Sequence, residues 1–442
     1  MSSTVTPAPG GAASAPFPAE RTLAYRKIAV RLIPFLVFLF VLAWIDRVNI
    51  GFAKLQMLQD LQFSETVYGL GAGIFFIGYF LFEVPSNLLL EKIGARRTLA
   101  RITILWGLAS MAMIFVKTPT QFYVMRFLLG VFEAGFFPGV VLYLTYWFPA
   151  DRRARINGYF MTSFAIAGVV GGPVAGFIMS AMSSVDGLAN WQWLFLIEGI
   201  PSVLAGFAVL AWLPEKPADA KWLNDSERAI VARDLDAERR DPAKHSSLRD
   251  AFNGRVWLCA LIYFCIVSGN ATIAFWTPSI IKELGVQGNF KIGLVSAIPF
   301  ILGTVAMVLN GIHSDRTGER RMHSVLASLA AAVGLVLTGY FLGSPVAALY
   351  ALSFAAIGIL AAFPVFWSLP AAFLTGTAAA GGIALINSVG NLAGFAAPYL
   401  MGWLKDKTGS LASGLYSVGL MELCAAILVL LFIKVKRDTP RA

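Results

Sequence analysis

The chain has 442 residues, 57% of them hydrophobic and 14% charged, and its mean hydropathy is +0.71. A soluble globular chain draws about a quarter of its residues from Asp, Glu, Lys and Arg, so this one lacks the polar surface that water demands. The net charge of +10 would suit nucleic acid, but its distribution along the chain argues against that partner and for a lipid bilayer.

Residues 1–25 open with a stretch rich in Pro, Ala, Ser and Gly and without a basic n-region, which predicts a disordered cytoplasmic tail rather than a signal peptide. Apolar runs of about 20 residues, the length that crosses hydrocarbon, then recur twelve times. In a first six-helix bundle (26–213) they fall near 28–53, 66–90, 98–116, 120–147, 156–182 and 191–213. In a second bundle (256–434) they fall near 256–281, 291–312, 324–343, 345–374, 380–403 and 411–433. The charged stretch 214–255 between them reads as a solvated amphipathic linker, and 435–442 as a second cytoplasmic tail. The fold class is therefore all-α membrane protein, with twelve transmembrane helices in two pseudo-symmetric bundles around a central cavity. A monomer suffices for that architecture.

With a cytoplasmic N-terminus, 27 of the 35 Lys and Arg residues fall in inner segments. Six fall in outer loops (Lys54, Lys117, Lys282, Lys291, Lys405 and Lys407), and Arg47 and Arg126 lie within helices. This asymmetry predicts a plasma-membrane protein, bacterial inner membrane, with both termini inside. Cys259, Cys265 and Cys424 lie in apolar runs without metal-ligand spacing, and His245, His313 and His323 lie in cytoplasmic segments. Neither a disulfide nor a metal site is expected, no cofactor is implied, and an intramembrane enzyme would lack its catalytic groups. No Walker loop is present to burn ATP.

The two halves repeat. Asn87–Arg97 (NLLLEKIGARR) matches Gly311–Arg321 (GIHSDRTGERR), with acid, base, glycine and paired arginines at an offset of 224 residues. The duplicated G-x-x-x-D-R-x-G-x-R-R loop, twelve helices and a central linker resemble the major facilitator superfamily, although Asn87 and Glu91 replace the Gly and Asp of the pattern in the first copy. The stretches WIDRVNIGFA (44–53), GYFLFEVPSNLLLEKIGARR (78–97) and RFLLGVFEAGFFPG (126–139) are similar to its anion:cation symporter branch, which includes bacterial tartrate, phthalate, galactonate and hydroxyphenylacetate importers. In the loops, Glu91 or Asp315 can cap a neighbouring helix N-terminus. Arg96, Arg97, Arg316, Arg320 and Arg321 can pair with acids nearby, so the loops form a candidate gate.

Charge inside a membrane is costly and marks function. Asp46, Arg47, Arg126 and Glu133 are such residues, and Glu83, Glu198 and Glu422 are further candidates. Counting 1.5 Å per residue puts Arg47 and Arg126 at similar depth, with Glu133 and Tyr79 near the midplane. Two guanidiniums facing one cavity suit a carboxylate, and desolvated Asp46 and Glu133 are candidate proton carriers. The resemblance implies the same roles: arginines on helices 1 and 4 for the anion, the helix 4 glutamate for protons. The second half offers a neutral wall of Asn270, Trp276, Ser368, Asn387 and Asn391. Glu83 and Glu198 read as packing or gate residues, and Glu422 as lying outside the cavity. The expected function is proton-coupled import of a small organic carboxylate such as a hydroxy-dicarboxylate, sugar acid or aromatic acid, with drug or sugar efflux as the alternative.

Overall fold

The computed structural model describes residues 18–239, 253–371, 373, 374 and 376–433. Twelve of its helices are long and apolar enough to cross a membrane: α1 (Ala19–Leu61), α2 (Glu65–Ile93), α3 (Ala95–Phe115), α4 (Pro119–Thr145), α5 (Ala150–Ala181), α6 (Asn190–Trp212), α7 (Gly254–Glu283), α8 (Asn289–Thr317), α9 (Arg321–Tyr340), α10 (Pro345–Ala371), α11 (Gly381–Thr408) and α12 (Leu411–Phe432). The tail 435–442, residues 1–17 of the first tail and His245 in the linker lie outside the described residues.

Both ends of α1 extend beyond expectation. The helix begins at Pro18, so residues 18–25 belong to it and not to a tail. It also runs to Leu61, because no proline follows Asn49 before Gln62 turns the chain with a φ of 54°. Lys54, expected in an outer loop, is therefore helical and 5% exposed.

The repeat reappears as paired packing. The contacts α2–α4 and α3–α6 in the first half correspond to α8–α10 and α9–α12 in the second. The halves meet along two equivalent seams, α2–α11 and α5–α8. We call the end where α1 begins and α12 ends basal, and the opposite end distal. Near the distal end the seams are backbone-tight: a Cβ on Gly69 would lie 2.3 Å from the Pro398 carbonyl oxygen, and one on Gly293 2.4 Å from that of Gly172. Such approach needs residues without side chains.

The polar bonds described between the halves are distal too. Tyr68 donates to the Phe275 carbonyl (2.7 Å), the Thr66 amide to Asp406 (2.7 Å) and Lys282 to the Leu55 carbonyl (2.8 Å), and Lys405 pairs with Glu65 (2.8 Å). Toward the basal end, a Cβ on Gly158 or Gly311 would meet nothing within 4 Å. The molecule is sealed distally and its halves are parted basally.

The linker is not merely solvated. Its helix Asp225–Arg239 docks on the basal face of the first half through Arg21–Asp234 (2.5 Å), Lys27–Glu227 (2.8 Å) and Arg153–Glu238 (2.8 Å). Trp222 stacks on Trp147 at 5.9 Å, and Leu223 and Val231 are buried. Burial would lift the Glu227 carboxyl, but bonds from Lys27 and the Asn224 amide hold it below its usual range.

The loop carboxylates also depart from expectation. Neither Glu91 nor Asp315 caps a helix. Glu319 caps α9 through the Met322 amide (2.8 Å), whereas the start of α3 is capped by Glu215, which accepts from the amides of Ala95 and Arg96 (3.1 Å for Arg96). The reason is in the repeat: 224 residues before Glu319 stands Ala95, which has no carboxylate, so the chain after α6 supplies one. Asp315 pairs with Arg320, and Arg321 donates to the Leu430 carbonyl. Glu91, Arg97 and Arg316 are exposed and Arg96 is half-buried.

Candidate functional site

Three spans are interrupted beside polar residues singled out in the sequence. The α1 ladder breaks at Asn49, two residues after Arg47; α4 breaks at Ala134–Gly135, directly after Glu133; α11 breaks at Leu392, after Asn391. Gly135 adopts a φ of +84°, and a Cβ there would lie 2.7 Å from the Ser86 hydroxyl, so only glycine fits. Interruptions at membrane depth leave backbone groups to be satisfied by side chains. Here Arg126 Nη2 donates to the Arg47 carbonyl (3.2 Å) and Nε to the Gly71 carbonyl (3.3 Å).

The charged residues pair across helices rather than along them. Both Nε (3.1 Å) and Nη2 of Arg47 donate to Glu133 Oε1, while Glu133 Oε2 is buried without a partner. The Arg47 side chain keeps 16% of its surface exposed and is enclosed by the rings of Trp44, Phe75 and Tyr79, 5.1–5.6 Å from its guanidinium carbon. Arg126 does not face the cavity as expected. It is fully buried, 5.4 Å from the same Phe75 ring, with Nη1 unbonded. One aromatic ring thus lies against two guanidiniums, which its face attracts. Phe75 was missed in the sequence; its only signal is its place one turn before Tyr79.

Asp46 turns away from its neighbour Arg47. Successive helical residues are about 100° apart, and the Asp46 carboxylate accepts from Ser110 on α3 (2.7 Å) and Ser202 on α6 (2.5 Å). Glu198, one turn from Ser202, is 5% exposed, and neither carboxyl oxygen has a bonded partner. Glu83 is half-buried on α2, and Glu422 is buried against Gly269 of α7.

On the second half, Asn270, Ser368, Asn387 and Asn391 are half-buried, the Ser368 hydroxyl being taken by the Val365 carbonyl (2.6 Å). Trp276 stands apart from this wall. It is fully buried in the distal seal, its ring centroid 3.5 Å from Lys54 Nζ and 5.3 Å from Tyr68. Lys54 in turn pairs with Glu65 (2.6 Å). Position in an apolar run could not reveal this contact, which joins residues 222 positions apart. Among the described residues no cluster of His, Cys, Asp and Glu could hold a metal.

The Major Facilitator Superfamily model matches residues 36–398. A putative tartrate transporter of Agrobacterium vitis is 49% identical over 94% of this chain and 92% of its own length. A quinolone resistance transporter of Acinetobacter baumannii is 42% identical over 93% of this chain and 96% of its own length. Among solved structures, the xylose transporter XylE from E. coli superimposes with a TM-score of 0.73 at 14% identity, covering 93% of this chain and 99% of that one. Twelve spans, repeated halves and charged side chains buried in α1 and α4 agree with these likenesses: the chain is a multi-pass membrane transporter and belongs to the Major Facilitator Superfamily.

Proposed function

We propose that the chain imports a small organic carboxylate together with protons across the bacterial inner membrane, basal end inward, as a monomer. The observation that supports this reading is the Arg47–Glu133 pair, whose arginine keeps 16% of its side-chain surface exposed, with the unbonded Nη1 of Arg126 against the same Phe75 ring. A guanidinium offers a carboxylate two parallel hydrogen bonds. Glu133 occupies that position when no anion is present. A proton on its free Oε2 neutralises it and releases Arg47 to the substrate, and displacement of the Phe75 ring uncovers Arg126. Asp46, on the same helix turn as Arg47, carries protons beside it. Half-buried Asn270, Ser368, Asn387 and Asn391 then meet hydroxyls or a ring of the substrate.

The basal loops gate the opposite state. Glu91, Arg96, Arg97 and Arg316 are spaced for the loop pattern, and with Asp315, Arg320 and Arg321 they latch the basal end when the halves close there. The excess of Lys and Arg in basal segments sets the orientation.

Uptake by proteoliposomes under an imposed pH gradient, with a panel of organic acids, tests this. Arg47→Ala and Arg126→Ala each weaken binding by about 100-fold or more, the worth of two charge-assisted hydrogen bonds. Glu133→Gln keeps substrate exchange and loses gradient-driven accumulation; accumulation at the wild-type level by Glu133→Gln refutes the proton role. The quinolone-named relative favours export as a second reading. A quinolone also carries a carboxyl group, so the same arginines serve, and drug loss from preloaded vesicles under an inward proton gradient separates the two.

A further inference from the structure

The basal end of α1 carries a basic pocket that no step of the transport reading uses. Leu23, Arg26, Lys27, Val30 and Arg31 are spaced i, i+3, i+4, i+7 and i+8, which is one face of a helix. Together with Glu227 of the docked linker helix they line an open pocket of about 410 Å³. Leu23 and Val30 are 61% and 66% exposed, so the pocket offers apolar wall as well as charge.

Its charges do not balance. Both Glu227 oxygens bond Lys27 (3.0 and 2.8 Å), and one of them also accepts from the Asn224 amide (2.8 Å). That pair cancels. Arg26 and Arg31 are exposed and enter no ion pair among the described residues, which leaves two positive charges without an acid. Arg31 is also held in place. Its guanidinium carbon lies 5.3 Å from the centre of the Trp222 ring, which is itself stacked on Trp147. An arginine fixed in this way presents a planar donor fork in one direction, the geometry that grips a phosphate through two parallel hydrogen bonds.

Depth selects the source of the phosphate. Arg31 is the last charged residue before fourteen without charge, residues 32–45. Trp212, at the basal end of α6 and 74% exposed, meets Phe35 edge-on at 6.2 Å, one turn past Arg31. Exposed tryptophans collect where hydrocarbon meets headgroups, so Arg26, Lys27 and Arg31 stand at headgroup level. Beyond them Pro34 and Phe38 continue the exposed face of Val30 into the apolar span, a track for an acyl chain. A free phosphate ion would leave Leu23 and Val30 uncovered. A phospholipid covers them.

We propose that this pocket binds one anionic phospholipid, its phosphate gripped by Arg26 and Arg31 and its acyl chain laid along Val30, Pro34 and Phe38. Because Arg31 rests on Trp222, three residues before the linker helix, a headgroup that fixes Arg31 also ties the linker to α1.

Native mass spectrometry in neutral detergent, with added dioleoylphosphatidylglycerol or dioleoylphosphatidylcholine, tests the site. The wild-type protein should retain phosphatidylglycerol about tenfold or more over phosphatidylcholine. Arg26→Gln combined with Arg31→Gln should abolish that preference, whereas Arg155→Gln, at an exposed basal position outside the pocket, should keep it. Hydrogen exchange over Asp225–Arg239 in phosphatidylcholine nanodiscs should slow by about fivefold or more once phosphatidylglycerol is included, a reading that needs no variant. Equal loss of preference in Arg155→Gln would reveal diffuse attraction to any basal arginine and overturns the site. Release of the lipid by millimolar inorganic phosphate overturns it too, assigning the pocket to the free ion. Linker exchange indifferent to phosphatidylglycerol would break the tie between lipid and linker.

Discussion

Lys54 is enclosed at the distal seal by Trp276 at 3.5 Å, Tyr68 at 4.4 Å and Glu65 at 2.6 Å. Its partner ring comes from α7, so the ammonium joins the two halves. A desolvated cation over an indole face contributes about 2 kcal/mol, and the ion pair with Glu65, buried on the Lys54 side, makes removal of one member costly for the other. Lys54→Gln should therefore weaken distal closure by about 2 kcal/mol, roughly a 30-fold shift in population toward a distally open form. Spin labels at Gln62 and Gln287, exposed distal residues of opposite halves, with Cys259, Cys265 and Cys424 replaced by serine, read that shift as a growing long-distance component. An unchanged distance distribution would show that Lys54 is packed there without holding the seal. At this scale, residue type was legible and partners were not. Asp46, Arg47, Arg126 and Glu133 declare themselves because charge in an apolar run is rare. That Glu133 pairs with Arg47 and not with Arg126, its neighbour along one helix face, depends on how α1 and α4 cross, which no periodicity encodes.

The linker helix shows what decides docking for an element. Its three basic–acidic contacts with the first half lie at a surface, where each is worth about 0–1 kcal/mol and is screened by salt. The Trp222–Trp147 stack and the buried Leu223 and Val231 remove apolar area from water irrespective of salt. Hydrogen exchange over Asp225–Arg239 should accordingly rise about tenfold or more in Trp222→Ala, and by no more than about fivefold in Glu227→Gln. The sign with pH follows from Glu227, whose carboxyl is held below its ordinary range. Its contribution is complete above that range, near pH 4.3 and upward, and is lost only as the pH falls further, so protection should be equal at pH 7 and pH 5. Equal effects of the two substitutions would contradict the apolar account. The alternating charges of this segment masked its docking face, since only a few apolar residues separate a docked helix from a solvated one. Span count and order, by contrast, were plain from runs of about 20 apolar residues. Helix ends such as Leu61 were less so, because a helix continues past the hydrocarbon wherever polar sequence still favours it.

For the whole molecule, the pseudo-symmetry of the seams carries a statement about the state that the structure does not display. Along α5–α8, Gly172 faces Gly293 and Gly176 faces Asn289 in the closed distal half. Antiparallel helices in this register bring Gly158 of α5 to within about one turn of Gly311 on α8 at the basal end, yet each now faces open space. A transporter that opens distally must close basally, and side-chain-free positions within a turn of each other on the two helices are what a backbone-tight seam requires. Gly158→Leu should then leave the present form nearly untouched, with stability changed by about 0.5 kcal/mol or less and substrate binding in detergent retained. The bulky side chain would nonetheless hold the halves apart at the basal end, so net uptake by proteoliposomes should fall by about tenfold or more. Gly158→Ala, with a single added carbon, should lie between the leucine variant and wild type. The contrast is Gly293→Leu, which must break the closed distal seam, because its first added carbon already lies 2.4 Å from the Gly172 carbonyl oxygen. Calorimetric titration of each variant set against its uptake rate separates binding from turnover, and wild-type uptake by Gly158→Leu would mean that the basal halves of α5 and α8 never come together during transport.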